Sequence, residues 1–183
     1  MLVKHAQPVL DPARAAREWR LGPDGEEQAR RLAAALARFL PFRLFSSPEP
    51  KAARTAEIIS AHLRVHASTI EDLRELDRPV LPILASEEHA ALNARVFARP
   101  DERTLGAESA QEARARFATA VRTHVSAHSH ATHVFVTHGT VISLFVASID
   151  TAIDAFELWK RLRCASFVVL DGASFAVLEV IAA

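Results

Sequence analysis

Three stretches place anion-handling residues at the ends of short apolar runs: "LVKH" ends in Lys4 and His5, "FRLFSSPEPK" carries Ser46, Ser47 and Lys51, and "HVFVTHG" ends in His138 and Gly139. A neutral imidazole is a competent nucleophile towards phosphorus, and its ordinary pKa of about 6.5 keeps much of it neutral at pH 7. Lysines, and the N–H groups at the start of a helix after His138, can neutralise the oxygens of a transferring phosphoryl group. Gly139 would let the backbone approach a ligand closely. A carboxylic acid is then needed to protonate the leaving oxygen, and Glu71, Asp72, Glu75 and Asp77 lie together in "IEDLRELD". These groups can meet only if the strands that carry them are parallel neighbours with their carboxyl ends on one side.

The pattern of elements allows this. "GEEQARRLAAALARFL" puts Ala29, Leu32, Ala33, Leu36 and Leu40 on one helical face, and "KAARTAEIISAHL" does the same for Ala52, Ala56, Ile59 and Leu63. A strand, a helix, a strand and a helix in that order predict parallel pairing through right-handed crossovers. "VHASTIEDLREL" holds a third strand, and a long helix starts near Glu108 with Ala113, Phe117, Ala120, Val121 and Val125 facing inward. Val134, Phe135 and Val136 are continuous rather than alternating, as in a parallel strand covered on both faces. "CASFVVL", a "DG" turn and "SFAVLEVI" read as a closing hairpin. Between them, about 76–107 has three prolines and no single period, with some helix expected from Glu87 to Val96.

The 183 residues, 50% apolar, suit one domain with one sizeable core. Lys+Arg and Asp+Glu balance at 22 each, so no overall basic field argues for nucleic acid, and an anion site must be built locally. The single Cys164 excludes an internal disulfide and reads as a small buried hydrophobe. The first twenty residues lack the apolar run of a secretory signal, and no stretch reaches the roughly 18 apolar residues of a membrane span. A cytoplasmic protein is expected. "HVSAHSHATH" gathers His124, His128, His130 and His133, but no carboxylate or cysteine completes a metal set, and solvated surface histidines are the better reading.

Four landmarks in order resemble the histidine phosphatase superfamily, the phosphoglycerate mutase-like family. They are "LVKHAQ", "SSPEPKAARTAEII", "DLRE", and "ESAQEARARF" followed by "VFVTHGTVI". The resemblance implies a three-layer α/β/α domain over residues 1–183 with a mostly parallel sheet and a lid at about 76–107. It makes His5 the nucleophile that becomes phosphohistidine, His138 a stabiliser of the phosphoryl oxygens, and Glu75 the proton donor. Lys4 and Lys51 stand where the family has two phosphate-binding arginines, with Gly139 beside them. It implies no metal and no cofactor, and as partners a small phosphorylated substrate or inorganic phosphate, with a homodimer left open. The short middle insertion favours hydrolysis over mutase-type transfer.

Lysine keeps the charge of arginine but loses its planar fork, so altered catalysis is expected, and a binding module without turnover is the competing expectation. Arg14 and Arg54 are the nearby residues that could supply the missing fork, and Trp19 could border the pocket. His62, His66 and His89 read only as exposed or partly buried side chains.

Overall fold

The computed structural model describes residues 1–78, 84–104 and 106–181. Six strands, β1 (Leu2–Lys4), β2 (Phe42–Ser46), β3 (Ala67–Thr69), β4 (Thr132–Thr137), β5 (Phe167–Leu170) and β6 (Val177–Ile181), form one sheet in the order β3-β2-β4-β1-β5-β6. β4 is central and pairs in parallel with β1 on one side and β2 on the other. β3 adds in parallel to β2, while β5 and β6 are antiparallel additions that close the chain as a hairpin.

Alternation along the strands feeds two cores. Val3, Leu44, Val134 and Val136 face one way, against α1 (Pro23–Leu36) and α2 (Pro50–Leu63), whose Leu32, Leu36, Ala56 and Ile59 are buried there. Leu2, Phe45, Phe135 and Val168 face the other way, against α4 (Ala110–Ala127), α5 (Gly139–Ile149) and α6 (Ala155–Arg161). The result is the expected α/β/α layering. α3 (Ser86–Ala98) supplies the helix expected in the middle segment, two residues longer at its carboxyl end. Residues 79–83 and 105 of the expected lid lie outside the described residues.

Two details of the sequence reading are corrected. The α1 periodicity does not extend to Leu40, which is 42% exposed; Pro41 follows it and disfavours helical backbone at the residue before. His133 is not a solvated surface histidine but lies buried in β4, its ring stacked on Phe45 and Phe135. Among the described residues no helix is long and apolar enough to cross a membrane, and no three His, Cys, Asp or Glu side chains form a group that could hold a metal ion.

Candidate active site

Parallel pairing of β2, β4 and β1 brings their three carboxyl ends together, and local hydrogen bonds fix what stands there. The His5 N–H donates to the Thr137 carbonyl at 3.0 Å, and the Ala6 N–H donates to the Thr55 hydroxyl of α2 at 3.1 Å. Gln7 N–H is held by Gln28 Oε1 of α1 at 2.8 Å. α1 can come this close because Gly25 has no side chain: a Cβ there would lie 2.1 Å from the Gln7 carbonyl oxygen.

The His5 side chain is buried, with Nδ1 2.8 Å from the Ala6 carbonyl oxygen. That oxygen can only accept, so the neutral ring carries its proton on Nδ1 and leaves a lone pair on Nε2. His138 meets it edge-on, ring centroids 5.2 Å apart. Its Nε2 lies 2.8 Å from Ser47 Oγ and 3.5 Å from Glu49 Oε1, and its Nδ1 has no partner among the described residues. Burial pushes both imidazoles towards the neutral form, aided by Lys51 and Lys4: His138 falls to about 3, and His5, which also feels His138, lies well below its ordinary value.

This has a consequence for stability. The unfolded chain protonates its histidines near pH 6.5, whereas folded His138 stays neutral to about pH 3. The stability contributed by neutral burial is therefore complete above pH 6.5 and lost as pH falls through the window between those values. His138 alone should contribute a slope of roughly 1 kcal/mol per pH unit. Urea unfolding at pH 7, 6, 5 and 4 should show native stability falling towards acid more steeply than in a His138→Gln variant; equal slopes would contradict this.

The two lysines are already engaged. Lys51, at the start of α2, is 5% exposed and donates to Glu49 Oε2 at 2.5 Å and to the Ala16 carbonyl at 2.7 Å. Lys4 Nζ donates to the Leu162 carbonyl at 2.7 Å. Its aliphatic stem lies over Gly139, where a Cβ would sit 3.3 Å from both Cε and Nζ. Gly139 thus makes room for Lys4 rather than for a bare backbone approach.

Glu75 occupies the mouth of α5. Its carboxylate accepts from the N–H groups of Thr140 at 3.1 Å and Val141 at 3.3 Å, and from Leu76 N–H at 2.9 Å. The helix N–H donors expected to meet phosphate oxygens are therefore shared with a carboxylate, which itself gains from the positive end of the helix. Glu75 N–H in turn donates to Glu49 Oε1 at 2.7 Å. Arg116 of α4 clamps the loop that carries it, donating to the carbonyls of Asp72, Arg74 and Glu75 while pairing with Glu108 at 2.8 Å. Arg116 holds the Glu108 carboxyl below its usual range. Thr137 Oγ1 ties the same loop to β4 through the Leu73 carbonyl at 2.7 Å.

His5, His138, Lys4, Lys51, Glu49 and Glu75 line an open cavity of about 850 Å³ that also takes in Trp19, Arg78, His89 and Trp159. Arg78 donates to Asn93 Oδ1 at 2.9 Å and Thr140 Oγ1 at 3.0 Å. Arg54 does not line the cavity: it is spent on Glu26 and Glu57 at the surface. Arg14 lines it but is exposed and paired with Asp11.

The family model for the histidine phosphatase superfamily (branch 1) matches residues 1–177. The chain belongs to that superfamily. No relative is found among curated protein sequences. Solved structures that share the fold include three of low identity. A mycobacterial glucosyl-3-phosphoglycerate phosphatase in complex with VO3 is 21% identical, covering 98% of this chain and 95% of its own with TM-score 0.72. A mutant phosphoserine phosphatase from Entamoeba histolytica in complex with phosphoserine is 15% identical over 98% and 94%, TM-score 0.74. YhfR of Bacillus stearothermophilus is 23% identical over 96% and 93%, TM-score 0.73.

Within this histidine phosphatase fold, His5, His138, Lys4, Lys51, Glu75 and Gly139 all border one cavity. Sequence reasoning missed Glu49, Arg78 and the Arg116–Glu108 clamp. A signal existed for the clamp in the "ES" pair, Glu108-Ser109, just before α4, where Ser109 and Glu112 also form a reciprocal cap. His89 and Trp159 also line the cavity, which their spacing did not signal.

Proposed function

We propose that the protein is a metal-independent phosphomonoester hydrolase that works through a phosphohistidine on His5. The observation that carries this reading is the fixed tautomer of His5: its Nδ1–H is held by the Ala6 carbonyl, which leaves the Nε2 lone pair as nucleophile. Nε2 attacks phosphorus as the bond to the leaving oxygen breaks, and the protonated Glu75 carboxyl gives that oxygen its proton. Water then attacks phosphorus from the side the leaving group vacated. Glu75 takes the water proton, the N–P bond breaks and phosphate departs. His138, Lys4 and Lys51 supply hydrogen bonds and charge to the equatorial oxygens, where the transition state needs them. The segment at about 76–107, which contains α3, forms the lid, and the substrate is a small phosphorylated molecule.

One observation supports reduced turnover. Lys4 and Lys51, which we read as the counterparts of the family's two arginines, are both hydrogen-bonded within the protein. A lysine point charge positions phosphate less well than a guanidinium fork. The native protein is expected to hydrolyse an aryl phosphate between pH 4 and 8, and a double Lys4→Arg, Lys51→Arg variant to raise kcat/KM by about tenfold, the gain of two charge-assisted forks. An inactive native protein rescued by the arginines would mark a site that has lost turnover. No turnover in either would overturn the hydrolase reading.

A further inference from the structure

Of the guanidinium groups lining the cavity, Arg14, Arg17 and Arg74 are paired with carboxylates and Arg20 is exposed. Arg78 differs. It is partly buried and makes no ion pair, although every Asp and Glu of the chain lies within the described residues. Its Nη2 is aimed by two neutral acceptors, Asn93 Oδ1 and Thr140 Oγ1. Asn93 is itself wholly buried and locked by its Nδ2 donating to the His89 carbonyl at 2.7 Å. The buried Nε has no partner among the described residues. Glu75 and Glu49 lie near enough to act on this charge, but neither is hydrogen-bonded to it; neutral acceptors orient the guanidinium, and its unpartnered buried Nε is costly unless a ligand completes it.

Its place indicates which part of a ligand that is. Thr140, which holds Arg78 by its hydroxyl, holds Glu75 by its N–H, so Arg78 stands beside the group that protonates the leaving oxygen. Displacement at phosphorus is in line, with the leaving group opposite His5. Resting on the phosphatase reading, we propose that Arg78 forms an anion subsite on the leaving-group side of the cavity. The substrates are then phosphomonoesters that carry a second anionic group, a carboxylate or a further phosphate, near the scissile ester. The planar fork of Arg78 suits either.

Glycerol 3-phosphate and 3-phosphoglycerate share a carbon skeleton and differ by a hydroxymethyl against a carboxylate. The native protein should favour 3-phosphoglycerate at least tenfold in kcat/KM, mainly through KM. Arg78→Met should reduce that preference at least tenfold, and Arg78→Lys should restore part of it, with melting temperatures reporting that each variant folds. A native protein without the preference, a preference that survives Arg78→Met, or equal losses on both esters would overturn the proposal. If the native protein turns over neither ester, that counts against the phosphatase reading for esters of this class and not against Arg78. Calorimetric binding of the same two esters to native and Arg78→Met protein then decides on Arg78 by the same ratio.

Discussion

Replacing His5 with alanine is expected to lower kcat for an aryl phosphate by at least ~10³-fold, because the reaction loses its nucleophile and not only a contact. The neighbouring imidazole is no substitute. His138 is wholly buried, and its Nε2 faces Ser47 Oγ and Glu49 Oε1. The folded protein should survive the change, since His5 makes one side-chain hydrogen bond, to its neighbour's carbonyl, and its backbone bonds to Thr137 and Ala165 do not involve the ring. A spectrophotometric assay, with a thermal melt as a folding control, checks both halves. A His5→Ala protein that keeps a tenth of native turnover would contradict the assignment.

Glu49→Gln should tighten inorganic phosphate binding by about a hundredfold while lowering stability. The Lys51 and Glu49 side chains are only 6% and 9% exposed and meet at 2.5 Å, so the carboxylate is an internal competitor for the cation that an incoming phosphoryl group would use. Two like charges about 5 Å apart repel by about 3 kcal/mol at an effective dielectric near 20, which corresponds to about a hundredfold in affinity. Glutamine keeps the shape and still offers an oxygen to the Glu75 N–H. It leaves Lys51 without its counter-charge, a loss that reaches about 3–5 kcal/mol when a buried pair is broken. Added phosphate should restore part of the lost melting temperature, since a ligand stabilises the state it binds. Calorimetric titration and thermal melts read the two signs separately; weaker phosphate binding by the variant would contradict the competitor role.

The residues that lie on regular elements were legible. His5, Lys51 and His138 stand at strand ends or helix starts whose apolar periodicity is clear, and pairing of β1, β2 and β4 then brings them together. Glu49 was not legible, because at the start of α2 it reads as an ordinary helix-start acid. Its burial arises only when Glu75 and His138, 26 and 89 positions away, fold over it. Arg78 sits at the edge of a proline-rich segment without periodicity, and its role depends on Asn93 of α3 and Thr140 of α5. Periodicity misled at Leu40, where the following proline overrides it, and composition misled at His133, whose ring stacks in an aromatic layer.

Rapid acid-free quenching of the protein with a ³²P-labelled phosphomonoester, followed by mapping of the label, tests the phosphohistidine most directly. The expected result is an acid-labile, alkali-stable phosphoprotein labelled on His5, which forms and decays at rates compatible with turnover and is absent from the His5→Ala protein. Turnover without any trapped label, or a label carried by another residue, would contradict the account.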